Sequence, residues 1–288
     1  MTDAPIVLVT GASRGAGRGI AVALGRHGAT VYVTGRTVQS GAHALPGTIH
    51  ETAEAITAAG GDGIAVTCDH ADDEQVAALF ARIKREQGRL DVLVNNAAAI
   101  CDELTWPGEF WTKPLKLADL IEVGIRSSYV ASWHAAQMMT EQPSGLIAFT
   151  SASGAAHYSL GPAYGAHKIA LDKMAFDMGC DFRHSGHPVT VVSLWLGALL
   201  TERLSSIIEA DPVKYGHLRG QCESPEFTGH VLWALMHDPE LGSINGRTLN
   251  VAEIARRYQI TDVDGRVPPT SAELHGVAPI AFHSFQIR

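Results

Sequence analysis

Tyr164 and Lys168 stand four residues apart in PAYGAHKIALDKMAF, residues 162–176. On a helix, that spacing puts two side chains on one face with Cβ atoms about 5–6 Å apart. A phenol is protonated at neutral pH and can give a proton to a developing alkoxide. An ammonium beside it favours the phenolate, so Lys168 is expected to lower the Tyr164 pKa and let the phenol work in both directions. Such a pair also occurs as an ordinary surface feature, and the rest of the chain must decide. Ser151 closes a strand-like run, where its hydroxyl can hold a substrate oxygen for Tyr164.

A second chemical signal is VTGASRGAGRGIA, residues 9–21. It follows a strand-like run and opens a helical one. Gly11, Gly15 and Gly17, with Ser13 and Arg14 between them, would let backbone approach a pyrophosphate. The helix N-terminus would offer free N–H groups and partial positive charge. The next strand-like run ends YVTGRT, with Arg36 where a ribose-binding carboxylate would stand, and the next acid is Glu51. A planar guanidinium suits a 2′-phosphate, so Arg36 and Arg14 point to NADP(H), with NAD less favoured.

These residues need a scaffold. The chain has 288 residues, 46% hydrophobic and 18% charged, with net charge −8. That fits one large α/β domain and lacks the basic face of a nucleic-acid binder. Its four cysteines form no CxxC pair, and its 14 histidines form no metal-binding spacing, so reduced thiols and no metal site are expected. No basic region precedes the first apolar run at Pro5, and the longest apolar run, residues 189–200, is 12 residues. No signal peptide or membrane span is expected, and a cytoplasmic location is.

Short apolar runs predict strands at 6–10, 30–34, 64–67, 92–95, 146–150, 189–194 and 248–251. Helices are predicted at 15–26, 48–59, 73–87, 116–139, 162–184 and 224–237. This alternation predicts a single doubly wound, Rossmann-type domain over 1–288, with a mostly parallel seven-stranded sheet and helices on both faces. Two long segments follow strand C-termini, an aromatic insert at 98–115 and a connection at 197–223. Both are expected to close over an apolar substrate. Residues 252–288 read as a C-terminal extension.

In this order the motifs resemble the short-chain dehydrogenase/reductase family in its compact one-domain form. The resemblance runs through TGASRGAG at 10–17, Asp69, NNAA at 95–98, Ser151, Tyr164, Lys168 and Thr201. FWTKPLKLADLIEVGIRSSYV, SLWLGALLTE and ARRYQITDVDGR are similar to the subgroup named dehydrogenase/reductase SDR family member one. Some members of that subgroup associate with membranes, which is not expected here because no hydrophobic tail precedes Arg288. The resemblance implies catalytic roles for Ser151, Tyr164 and Lys168. It implies that Tyr164 and Lys168 meet the cofactor too, Lys168 on the nicotinamide ribose. Asp69 and the His70 backbone would meet adenine, Asn96 the adenine-ribose side, and Leu199 and Thr201 the carboxamide.

Two positions depart from the family pattern. Gly124 replaces an asparagine that supports a water relay, and Leu196 replaces a proline. Gly124 is expected to keep a helix distortion whose gap water fills, so that asparagine would be tolerated there. Leu196 is expected to loosen the following loop. The function expected is NADP(H)-dependent reduction of a carbonyl, or oxidation of the matching alcohol, on a hydrophobic small molecule. The alternative is a cofactor-binding sensor or scaffold with little turnover. The resemblance implies a homodimer or homotetramer through 116–139 and 162–184.

Overall fold

The computed structural model describes residues 4–283. Seven strands form one sheet: β1 (Ile6–Val9), β2 (Thr30–Gly35), β3 (Asp62–Thr67), β4 (Val92–Asn95), β5 (Gly145–Ala152), β6 (Val189–Leu196) and β7 (Arg247–Asn250). Their order is β3-β2-β1-β4-β5-β6-β7. Every pairing is parallel, so the sheet is parallel throughout rather than mostly so.

The helices are α1 (Gly15–Arg26), α2 (Ile49–Ala58), α3 (Asp73–Gln87), α4 (Ser127–Met139), α5 (Pro162–Ser185), α6 (Glu202–Ala210), α7 (Pro212–Tyr215), α8 (Phe227–Met236), α9 (Val251–Arg257) and α10 (Ser271–His275). Alternation along β1 shows how the sheet divides them. Val7 and Val9 join a core with Ile20 of α1, Ile56 of α2 and Val231 of α8. Ile6 and Leu8 face the opposite core with Leu79 of α3, Ala135 of α4 and Leu171 of α5. Burial on both faces is why these strands read as unbroken apolar runs.

Local chemistry sets the helix ends. Thr48 closes a capping box with Glu51 ahead of α2, and Asp72 caps α3, which stops at left-handed Gly88. Pro162 begins α5 behind Gly161, where its fixed φ suits the first helical turn. α1 has no side-chain cap and no acid in its first turn.

The predicted helix at 116–139 is broken. A 3₁₀ turn spans Leu115–Ala118 and a π segment spans Ile121–Arg126, before α4 begins. Gly124 causes the break, with φ 155°, a region closed to other residues without strain. Ser127 Oγ accepts from the Gly124 N–H at 3.0 Å, and Ser128 Oγ donates to its carbonyl at 2.6 Å.

The connection at 197–223 contains α6, α7 and a 3₁₀ turn at Gly216–Gly220. Leu196 is the last residue of β6, paired with Ala152 of β5. The C-terminal extension holds α9 and α10, and its last five positions, 284–288, lie outside the described residues.

Candidate active site

Strands β2 and β3 are laid on one side of β1 and β4 onward on the other, so the strand order switches between β1 and β4, and a cleft opens at their C-terminal ends, where parallel sheets bind ligands. It has a volume of about 370 Å³. The glycine loop forms its floor, through Gly11, Ser13, Arg14, Gly15 and Gly17. Arg36, Asp69, His70, Asn96 and Thr201 line the walls. Leu199 is not among the lining residues; it forms an isolated bridge with Glu223.

The glycines answer to packing within the protein as well as to a ligand. A Cβ on Gly11 would lie 2.7 Å from the Ala97 Cα, and one on Gly17 would lie 2.4 Å from Asn96 Nδ2. Asn96 Nδ2 donates to the carbonyls of Thr10 at 2.9 Å and Gly11 at 3.0 Å. Its first role is therefore to brace the cradle. The Gly15 N–H, at the start of α1, donates to Glu202 Oε2 at 2.9 Å. An amide that binds a carboxylate oxygen can bind a phosphate oxygen, and α1 lacks a side-chain cap, so the cradle fits a dinucleotide diphosphate.

Cations gather at the end of β2. Arg14 donates to Thr37 Oγ1 at 3.2 Å and to the carbonyls of Pro46 and Gly47 at 3.0 and 2.9 Å. Arg36 is exposed and 3.7 Å from the Asp69 carboxylate, an ion pair worth little at a surface. His43 and Leu45, on the loop after β2, also line the cleft. Burial and the charges of Arg14, Arg203 and Arg36 depress the His43 pKa. His70 bonds Thr34 Oγ1 at 2.7 Å, and burial lowers its pKa to about 4.

α5 runs beside β5 and carries Tyr164, Lys168 and Asp172 at successive turns. Lys168 Nζ donates to the Thr150 carbonyl at 2.9 Å and lies 5.5 Å from the Tyr164 ring centroid. Ser151 Oγ donates to the Lys168 carbonyl at 3.1 Å. Burial pushes the Tyr164 phenol up to about 12, where the sequence suggested a phenol lowered by lysine. Desolvation outweighs an ammonium that is itself buried on a carbonyl. Burial lowers Lys168 to about 8, with Asp172 acting in the opposite direction.

Asp172 is 1% exposed. Its carboxylate accepts from Ser193 Oγ at 2.6 Å and Trp195 Nε1 at 2.8 Å. The sequence reading missed it, although its i+4 spacing from Lys168 was visible. It also missed Glu202, whose partner Gly15 is 187 residues away.

The gap at Gly124 is not left for water. The His167 imidazole fills it, with Nε2 2.9 Å from where a Gly124 Cβ would stand. His167 is buried, which lowers its pKa to about 3, and its Nδ1 has no protein partner among the described residues.

The aromatic insert begins with 3₁₀ turns at Asp102–Thr105 and Phe110–Thr112. An ion pair between Asp102 and Arg203 ties it to α6. Phe110, Trp111, Leu115 and Ile121 face Tyr158, Leu160 and Pro162 across an apolar pocket of about 390 Å³. Ala163, the residue before Tyr164, also lines that pocket. No helix among the described residues is long and apolar enough to cross a membrane. No group of three or more His, Cys, Asp or Glu among them is placed to hold a metal ion.

Comparison with known proteins assigns this architecture. The short chain dehydrogenase family model matches residues 5–212. Human dehydrogenase/reductase SDR family member 1 is 39% identical over 272 residues, covering 91% of this chain and 84% of that protein. The mouse protein of the same name is 37% identical over the same length and shares of the two chains. A Xanthomonas campestris crystal structure, named for a dehydrogenase, superposes with a TM-score of 0.76 at 28% identity, covering 92% of this chain and 94% of that one. With the cradle, the parallel sheet and these matches together, the chain belongs to the short chain dehydrogenase family and is an NAD(P)-dependent oxidoreductase.

Proposed function

We propose that the protein uses NADP(H) to reduce a carbonyl, or oxidise the matching alcohol, of a hydrophobic small molecule. The observation that carries the reading is the meeting of Ser151, Tyr164 and Lys168, with Ser151 and Lys168 tied by backbone hydrogen bonds across β5 and α5. A bound nicotinamide supplies or accepts the hydride. Tyr164 delivers the proton to the substrate oxygen, and a phenol held near 12 stays loaded at neutral pH, which favours reduction. The Lys168 ammonium stabilises the phenolate left behind. Ser151, by turning its O–H from the Lys168 carbonyl, fixes the substrate oxygen.

Arg14, Arg36 and His43 around the end of β2 support a 2′-phosphate there; β2 itself ends without a carboxylate, and Asp69, 3.7 Å from Arg36, comes from the segment after β3. Asp69 and His70 would frame the adenine and Thr201 the carboxamide side, while Leu199 would act through the loop it anchors. Lys168 would hold the nicotinamide ribose. The insert at 98–115 supports an apolar substrate, since its aromatic side chains line an apolar pocket that includes Ala163, next to Tyr164 in the chain, and the loop at 197–223 would close over it from the cleft side. Assembly as a homodimer or homotetramer through α4 and α5, in the cytoplasm, completes the proposal; Tyr129 and Trp133 on α4 are exposed.

The test is oxidation of NADPH with a panel of quinones, diketones, steroids and aldehydes, by wild type and Tyr164→Phe. The variant should bind cofactor and lose turnover. Retention of more than about a tenth of the wild-type rate would exclude Tyr164 as the proton donor.

A further inference from the structure

A buried carboxylate is an expensive way to fill a core, because an apolar side chain would pack there without losing hydration. Asp172 is such a group, 1% exposed between α5 and β6. It lies one helical turn beyond Lys168 and two beyond Tyr164, so all three share a face of α5. Its two oxygens are taken separately, Oδ1 by Ser193 Oγ at 2.6 Å and Oδ2 by Trp195 Nε1 at 2.8 Å. Ser193 and Trp195 are alternate residues of β6, and both are fully buried. In the β5–β6 register, Trp195 is the direct neighbour of Ser151. The carboxylate is thus fastened to the strand residue beside the candidate catalytic serine, and to the helix that carries the tyrosine and lysine.

We infer that Asp172 is a positioning residue of the catalytic centre, a buried anion that locks α5 onto β6 and holds Lys168 as its ammonium. The inference rests on the function proposed above. Burial raises the Asp172 pKa, and its hydrogen bonds with Ser193, Ser151 and Trp195 and the charge of Lys168 act against that rise. Lys168 Nζ donates to the Thr150 carbonyl, and a buried ammonium so placed needs an anion. The titratable groups facing the cluster from α5 are Tyr164, His167 and Lys168. β5 and β6 contribute Ser151, Ser193 and Trp195, which carry no charge at neutral pH. Asp172 is the charge that opposes desolvation of Lys168.

The experiment measures Lys168 directly by NMR of ¹³C-labelled lysine in the full chain, assigned by its absence from Lys168→Met. Neither substrate nor cofactor is needed. Asp172→Asn should lower the Lys168 pKa by about one unit or more. In turnover, the alkaline limb of kcat for reduction should move to lower pH by a similar amount. Ser193→Ala and Trp195→Phe keep the charge and remove one donor each. They should reduce kcat several-fold with KM little changed, and they decide the matter if Asp172→Asn does not fold. An unshifted Lys168 resonance in folded Asp172→Asn overturns the inference, as does wild-type kcat in both donor variants. Turnover surviving in Tyr164→Phe would instead remove the function on which it rests.

Discussion

Glu202 and Gly15 are joined by a 2.9 Å hydrogen bond from the amide at the N-terminus of α1 to the first carboxylate of α6. A diphosphate on the same cradle competes for that amide and meets the carboxylate's charge. Glu202→Ala is therefore expected to tighten NADP(H) binding about three- to tenfold, measured by quenching of protein fluorescence. Unchanged or weaker binding would show that the carboxylate leaves the cradle at no cost.

Gly124 and His167 form a size-matched pair. Asparagine at 124 would need φ 155° and a Cβ 2.9 Å from the imidazole, so Gly124→Asn should cost about 2 kcal/mol or more in denaturant unfolding. His167→Ala removes the clash but not the backbone strain. The double variant should recover part of the loss, and a strictly additive double mutant would refute the steric coupling.

Glu223 is 2% exposed, and burial together with Asp262 raises its pKa to about 8. An acid whose pKa is raised on folding keeps its proton where the unfolded chain has lost it. Its contribution therefore becomes steadily less favourable from about pH 4.5 to about pH 8. Glu223→Gln carries no such charge, so its melting temperature should gain on wild type as pH rises through that window. A gap that stays constant from pH 5 to about 8 would show that Glu223 is ionised in the fold.

Arg36 extends from the end of β2 with its side chain 72% exposed. Arg36→Asp should weaken NADPH binding at least tenfold and leave NADH binding no worse. Titrating both cofactors against both proteins checks this, and tighter wild-type binding of NADH than NADPH would reverse the cofactor assignment.

What could be read in the sequence follows the range of the interactions. The apolar runs of β1 and β4, the span of α3 and the Tyr164–Lys168 spacing are local signals, and each lies where the pattern put it. Contacts between distant segments left no such mark. The Glu202–Gly15 bond and the Asp102–Arg203 ion pair depend on how loops fold over the sheet. Gly124 was visible as a departure, but its partner His167 lies 43 positions on in the chain, in an element whose packing the pattern does not specify. The pKa of Tyr164 was misjudged for a related reason, since spacing reveals a charge nearby and says nothing of how much water remains.

The connection between β6 and α8 has one further property. Its two ends are stitched together: the Glu223 N–H donates to the Ala198 carbonyl at 2.8 Å, and the Leu200 N–H to the Glu223 carbonyl at 2.9 Å. Pro225, just beyond, lies so close to α1 that a Cβ on Gly19 would come within 2.2 Å of its carbonyl carbon. The segment is thus a helical excursion with a sewn base, and the entropy of bringing its ends together is borne by the scaffold rather than by the loop. A chain built this way can exchange α6 and α7 for a loop of another length without disturbing the sheet. Such an exchange would reach the cleft through Glu202, whose carboxylate bonds the cradle, and leave the strands where they are.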